Sequence, residues 1–114
     1  MIDDVFCKII KGELPTEAAY KDDEFWVIKD IHPQAPVHLL IISAKHFLTI
    51  EDFNREEGLL GRALLLADKM AHGNGLGDKG YRLIINEGED GGKLVPHFHI
   101  HLLGGKRLGP KIIE

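Results

Sequence analysis

His97-Phe98-His99-Ile100-His101-Leu102-Leu103 is the stretch of sequence that decides the fold, because polar and apolar side chains alternate along it. Successive side chains of a β-strand point to opposite faces of the sheet. The alternation therefore predicts a strand over residues 95–103. We expect its three histidines to share one face, and the opposite face to pack in the core through Phe98, Ile100 and Leu102.

Three interpretations of this histidine row are open. Imidazole can be neutral or charged, donor or acceptor near pH 7, so three in a row suit chemistry better than a purely structural core. Two imidazoles could bind a metal ion, but the outer pair lies about 13 Å apart and no acidic residue shares their face, so further ligands must come from elsewhere. Alternatively, the central His99 is a nucleophile, while its neighbours bind phosphate, fix its tautomer and carry protons.

Glycine pairs flank the strand, Gly91-Gly92 before it and Gly104-Gly105 after it. Glycine lets the backbone approach an anion and offer its N–H groups, although glycines at strand ends also serve as simple turn residues. The pairs support an anion site only because they flank the histidines.

The composition indicates an ordinary globular protein. The 114 residues predict one domain over 1–114, and 44% hydrophobic with 28% charged residues argues against disorder. The net charge of −4 disfavours a nucleic-acid partner. No apolar run approaches the roughly 20 residues of a membrane span. The single Cys7 cannot form an internal disulfide and no secretion signal is evident, so we expect a cytoplasmic location.

The remaining elements follow from apolar periodicity and from turn residues. We expect a short N-terminal helix over residues 3–11, a hairpin with strands near 19–20 and 25–28, a buried strand over 37–42, a long helix from Asn54 to Ala71, and a strand over 81–85. Asn54 is the expected N-cap because Glu57 follows three residues later. His38 falls inside the buried strand. Consecutive strands joined by turns favour an α+β antiparallel sheet.

The histidine strand resembles the signature of the histidine triad (HIT) nucleotide-binding proteins. The likeness extends over nearly the whole chain and favours the Hint branch, through residues 6–10, 30–38, 80–82, 86–88 and 101–105. It implies a HIT-like fold: a five-stranded antiparallel sheet with a long helix and a short N-terminal helix. It also implies a homodimer with a ten-stranded sheet.

The resemblance implies a hydrolase of purine nucleoside 5′-phosphoramidates or related adenylates, which cleaves the phosphorus–nitrogen bond through a nucleotidyl-histidine intermediate. In this family pattern His99 is the nucleophile and His101 binds the phosphate. His38 and His97 orient the nucleophile and move protons. We expect no cofactor and no catalytic metal, and activity should fall at acid pH as His99 is protonated, so a flat profile from about pH 5 to 8 would count against this mechanism.

The resemblance also assigns the nucleotide contacts. Asn86 and Gly92 contact the phosphate, and Asp30 binds the ribose, because a carboxylate can accept both hydroxyls of a cis-diol. Without the family, Asp30 is a loop carboxylate that caps a turn before Pro33. The base pocket is formed by Val5, Phe6, Ile9, Ile28 and Ile31, which periodicity alone would place in the core.

Lys93 and Leu94, just before the histidine strand, differ from the residues usual in related proteins. The Hint branch usually has a serine near the leaving group, but this chain has Leu94, which we still count among the nucleotide-binding residues. Lys93 or a backbone amide could replace the missing proton donor. The dinucleoside-polyphosphate-cleaving branch usually has glutamine where Lys93 stands. The tryptophan and paired prolines usual near the C-terminus are also absent, so leaving-group preference is expected to differ.

Some bacterial relatives bind zinc through two cysteines and two histidines. Here Asp4 replaces the first cysteine, and Cys7, His46 and His97 are the other candidates. The alternative functions are a nucleotide sensor with little turnover and a metal-dependent hydrolase.

Overall fold

The computed structural model describes residues 4–110 and 112. Within these residues, two α-helices and five strands follow one another: α1 (Val5–Ile10), β1 (Ala18–Lys21), β2 (Phe25–Lys29), β3 (Val37–Ser43), α2 (Glu57–Gly73), β4 (Tyr81–Ile84) and β5 (His99–Gly104). A 3₁₀-helix, Ile50–Phe53, precedes α2. The predicted α+β class is confirmed.

All neighbouring strands of the five-stranded sheet are antiparallel, in the order β1-β2-β3-β5-β4. The long central strand β3 pairs with β5, so that Leu40 lies opposite His101 and Ile42 opposite His99. Directly paired residues of an antiparallel ladder project to the same face. The pairing therefore places His99 and His101 beside the second half of β3.

The two faces of the sheet carry separate apolar clusters. On one face Ala63, Ala67 and Ala71 of α2 are buried against β3 and β5, as the long-helix prediction required. Phe98, Ile100 and Leu102 are fully buried in this cluster, which confirms the alternation of the histidine strand. On the other face α1 packs against β2 and β3, with Phe6, Ile9, Ile28, Leu40 and Ile42 buried together. The histidines lie on this second face.

The final strand begins later than predicted. Pairing starts at His99 instead of residue 95, and Pro96 supplies no N–H to a ladder. The amide of Phe98 donates to the carbonyl of Phe47, and Nε2 of His97 donates to the carbonyl of Ser43 at 2.7 Å. The amide of Phe98 and the carbonyl of Ser43 would otherwise extend the β3–β5 ladder. Because both are bonded elsewhere, His97 precedes the strand.

The long helix also begins later than predicted. Asn54 follows the 3₁₀-helix as its C-cap, and α2 starts after Glu56, whose side chain makes no capping hydrogen bond. Phe53 is buried and stacks on Phe47 with ring centroids 4.2 Å apart. Burial of this ring in the core stabilises Ile50–Phe53 as a separate 3₁₀-helix. That helix is capped at Asn54, where the sequence predicted the start of the long helix.

Among the described residues, no helix combines the length and the apolar character needed to cross a membrane.

Candidate active site

A cavity of about 640 Å³ opens on the sheet face that α1 covers. Every residue expected to contact a nucleotide lines it: Val5, Phe6, Ile9, Ile28, Asp30, Ile31, Asn86, Gly92, Leu94, His99 and His101. Among the residues that the structure describes, seven more line it that the sequence did not predict, namely Leu14, Pro15, Thr16, Lys29, His32, Leu40 and Val95. Lys29 and His32 flank the Asp30-Ile31 pair, and this adjacency was the one signal that could have found them.

His99 lies on the cavity wall with one ring nitrogen already engaged. Its Nδ1 is 2.8 Å from the backbone carbonyl of His97. A carbonyl only accepts, so Nδ1 carries the proton and Nε2 of the neutral ring keeps its lone pair. Burial lowers the pKa of His99, and the charge of Lys93 lowers it further. The neutral, nucleophilic form is therefore favoured at neutral pH.

A chain of hydrogen bonds assigns the tautomers of His38 and His101. The amide of Gln34 donates to Nδ1 of His38 at 3.1 Å, so the neutral His38 ring carries its proton on Nε2. That nitrogen lies 2.9 Å from Nδ1 of His101 and donates to it. Nε2 of His101 is then the protonated atom. Burial lowers the pKa of His101 to about 4, and the neighbouring His99 and His38 contribute.

His38 and His97 differ in how they relate to His99. His38 touches His101 and not His99, whereas His97 reaches His99 through its backbone carbonyl. The His97 ring is fully buried and bonds to Ser43 and Asp4. The ring of Phe6 packs edge-on against both His97 and His99, with centroids 5.7 and 5.2 Å away. Helix α1 thereby fixes the position of the His99 ring.

Asp30 carries out two local tasks. Its Oδ1 accepts the amide of His32 at 2.8 Å, which is the turn-capping role that sequence alone suggested. Its Oδ2 lies 3.4 Å from Nε2 of His38. Only part of the carboxylate's accepting capacity is used, since each oxygen can accept more than one hydrogen bond.

The glycine loop, which we define as residues 86–93, forms another wall of the cavity. The side-chain amide of Asn86 donates to the carbonyl of Gly91 at 2.7 Å, and the amide of Lys93 donates to the carbonyl of Gly88. A Cβ at position 91 would lie 2.1 Å from a backbone oxygen, so glycine is required there. Gly92 has φ of +78°, which also favours glycine.

Comparison with known proteins identifies the family. A family model described as the HIT domain matches residues 11–108. The chain belongs to the HIT family. A purine nucleoside phosphoramidase of Escherichia coli K12 is 45% identical over 109 residues, which cover 95% of this chain and 92% of that protein.

Solved structures agree with this HIT domain. A HIT family hydrolase from Clostridium thermocellum superposes with a TM-score of 0.93 and 46% identity over 99% of each chain. A histidine triad protein from Clostridium difficile gives 0.90 and 36% over 97% of each chain. The predicted HIT fold, with one five-stranded antiparallel sheet, a main helix and a short helix, is confirmed.

A second cluster lies beneath the HIT-domain cavity, formed by Asp4, Cys7, His46 and His97, whose possible ligand atoms all lie within 4.8 Å of one another. Oδ2 of Asp4 is 3.0 Å from Nδ1 of His46 and 3.1 Å from Nδ1 of His97. Burial alone would raise the pKa of Asp4, but the amide of Cys7 and the nearby His97 hold it below its ordinary value.

Two nitrogens, one sulfur and one carboxylate oxygen at these separations fit the tetrahedral donor set of a zinc ion. Asp4, Cys7, His46 and His97 would hold it, and it would join α1 to the segment that follows β3 and to the segment that precedes β5. Asp30, His38 and His101 form the other group close enough to share an ion among the described residues. Their hydrogen-bond chain accounts for their closeness without one.

Proposed function

We propose that this HIT protein is a nucleotide hydrolase that cleaves purine nucleoside 5′-phosphoramidates or related adenylates. The observation that carries the proposal is the hydrogen bond from Nδ1 of His99 to the carbonyl of His97, because it leaves a lone pair on Nε2 of a ring that lines the cavity. The similarity to a purine nucleoside phosphoramidase supports the choice of substrate.

In this proposal Nε2 of His99 attacks the phosphorus and the phosphorus–nitrogen bond breaks. The resulting nucleotidyl-histidine is hydrolysed by water, which splits one difficult displacement into two easier ones. His101 donates its Nε2 proton in a hydrogen bond to a phosphoryl oxygen, and its chain to His38 and Gln34 keeps that tautomer in place. Donors that are already oriented stabilise the developing charge at no reorganisation cost.

The nucleotide would lie along the cavity. Asn86 and Gly92 contact the phosphate, the remaining accepting capacity of Asp30 binds the ribose, and the purine packs against Val5, Phe6, Ile9, Ile28 and Ile31. Leu94 also lines the cavity. His97 positions the nucleophile through its backbone carbonyl. Its ring belongs to the second cluster, with Asp4, Cys7 and His46.

The proposal extends to the whole protein. We propose one domain over 1–114, a homodimer with a ten-stranded sheet, a cytoplasmic location, and neither nucleic acid nor membrane as partner. The supporting facts are the net charge of −4 and the single cysteine.

The test is turnover of adenosine 5′-phosphoramidate by the full chain, with and without chelator, beside a His99→Ala variant. We expect kcat/KM to survive chelator and to fall at least about 10³-fold in the variant, since the nucleophile is lost. His72→Ala is the matched control, because His72 lies on α2 and its side chain is 61% exposed. Binding without turnover would indicate a nucleotide sensor, and chelator sensitivity would indicate a metal-dependent hydrolase.

A further inference from the structure

The apolar side chain of Leu94 is not buried by the fold. Its side chain is 93% exposed although it lines the cavity. The next residue, Val95, packs against the apolar cluster under α1. Burial of apolar surface is what stabilises a leucine in a folded protein, so Leu94 contributes little to stability in the free protein. Its surface is available to a ligand.

The exposed apolar side chains are concentrated at this cavity. Nine large apolar residues are exposed within the described part of the chain, and four of them line the cavity: Val5, Leu14, Ile31 and Leu94. Single exposed apolar residues are normal on protein surfaces, but several around one opening indicate a binding surface. The apolar surface therefore extends from the cavity to its mouth.

Leu94 and His99 line the same cavity but differ strongly in exposure. His99 is only 6% exposed, so it lies deeper in the cavity than Leu94, which is 93% exposed. In phosphoryl transfer the attacking and leaving atoms are roughly in line through phosphorus. If Nε2 of His99 attacks from the interior of the cavity, the group opposite it departs toward the exposed side, where Leu94 lies.

The charges around the cavity disfavour an anionic departing group. Among the described residues that line it, Lys29 is the one lysine or arginine, and the acidic Asp30 follows it in the chain. The ammonium of Lys93 is turned away, because it donates to the carbonyl of Leu48 and to Glu87, and its side chain is only 7% exposed. Lys93 consequently does not replace the missing serine as a donor in the cavity.

We propose that Leu94 forms a leaving-group subsite that selects nucleoside phosphoramidates whose departing amine carries an uncharged hydrocarbon substituent. The inference rests on the proposed function and names its substrate class. Leu94 stands where relatives of the Hint branch usually carry serine, so the subsite exchanges a polar contact for an apolar one.

The reaction proceeds through two displacements at phosphorus. Nε2 of His99 forms a bond to phosphorus, the phosphorus–nitrogen bond breaks, and its electron pair stays with the departing amine, which takes a proton from water. A water molecule then attacks phosphorus, the bond to Nε2 breaks, and the proton is returned to solvent. One water is consumed, and the products are a nucleoside monophosphate and the amine.

The experiment compares two adenosine 5′-phosphoramidates of nearly equal shape. One carries a 3-methylbutyl group on nitrogen and the other a 2-carboxyethyl group, so that an isopropyl end replaces a carboxylate. We expect the full-length protein to prefer the 3-methylbutyl substrate by at least about tenfold in kcat/KM, the effect of burying part of a leucine side chain. Leu94→Ser should reduce this preference about fivefold to tenfold, and Leu94→Lys should reverse it.

Leu65→Ser is the matched control, because Leu65 is 70% exposed on α2 and does not line the cavity. It should leave the preference unchanged. Turnover with an unchanged preference in Leu94→Ser would overturn the subsite and leave the hydrolase function standing. An equal rise in KM for both substrates would place Leu94 on the nucleoside and overturn it as well. Absence of turnover with every phosphoramidate would overturn both proposals.

Discussion

At the scale of single residues, hydrogen-bond partners give identical side chains different states. Nδ1 of His99 donates to a carbonyl, whereas Nδ1 of His38 accepts from an amide. A neutral imidazole has one donor and one acceptor nitrogen, so the partner on one side determines the property of the other. His99 therefore presents a lone pair from Nε2, and His101, which accepts from His38, presents a proton.

The first prediction concerns the pH dependence of His99. The attacking ring must be neutral, and burial holds its pKa below the ordinary value of 6.5. A lowered pKa means that the neutral form persists as pH falls below 6.5, and that activity is lost only at a more acidic pH. We expect kcat/KM for adenosine 5′-phosphoramidate to fall as the pH is lowered and to reach half its plateau at a pH below 6.5.

The measurement is a pH–rate profile of kcat/KM in buffers of constant ionic strength. His32→Ala should show the same midpoint, because its removal leaves the His97 carbonyl contact intact. A midpoint at or above pH 6.5 would contradict the buried environment of the nucleophile.

At the scale of elements, the buried ammonium of Lys93 holds the glycine loop against the segment that contains Leu48 and Ile50. Lys93 donates to the carbonyl of Leu48 and to Oε1 of Glu87, and Oε2 of Glu87 accepts the amide of Ile50 at 3.2 Å. A buried ammonium is stable only when such partners surround it. The arrangement holds Asn86 and the loop glycines against the cavity.

The second prediction is that Lys93→Met loosens this loop and changes the titration of His99. Loss of the charged hydrogen bonds should lower the free energy of unfolding by about 2 kcal/mol. Because the charge of Lys93 lowers the pKa of His99, its removal should move the acid limb of the pH–rate profile to higher pH. Urea unfolding and the pH–rate profile measure the two effects.

Lys79→Met serves as the control, since Lys79 is exposed and does not line the cavity. If Lys93→Met left both the unfolding free energy and the acid limb as in the unaltered protein, the fastening role of Lys93 would be wrong.

At the scale of the whole molecule, the sheet has two edge strands with different properties. In β1 the register shifts between Ala18 and Tyr20, and exposed residues alternate with half-buried ones. All four residues of β4 are half-buried and its ladder is regular. Bulges and exposed charges, such as Lys21, protect an edge from pairing, whereas a regular edge is ready to pair. The proposed ten-stranded dimer therefore uses β4.

The third prediction is a dimer whose mass is twice the 12.7 kDa of one chain in sedimentation equilibrium at micromolar concentration. Hydrogen exchange should show slow, concentration-dependent exchange for amides of β4, because the unpaired edge becomes hydrogen-bonded to a second copy. The amides of β1 provide the internal control and should exchange at the same rate at every concentration. A single-chain mass, or protection confined to β1, would exclude this interface.

The sequence by itself determined the α+β class, the short N-terminal helix, the long helix and the alternating faces of residues 98–102 in the histidine strand. These properties depend on local periodicity, since side-chain direction repeats every two residues in a strand and about every 3.6 in a helix. The family resemblance also identified 11 of the 18 described residues that line the cavity. Their chemical roles remain predictions until activity is measured.

Only the tertiary structure decided where the histidine strand and the long helix begin, which nitrogen of each histidine is protonated, and where Lys93 and Leu94 point. The responsible contacts join residues far apart in the chain: His38 meets His101 across 63 positions, and Asp4 meets His97 across 93. Local patterns carry no information about such partners, because the pairing is set by sheet register and by the packing of α1. The alternating stretch therefore contains three similar imidazoles, and tertiary contacts give each of them different hydrogen-bond partners.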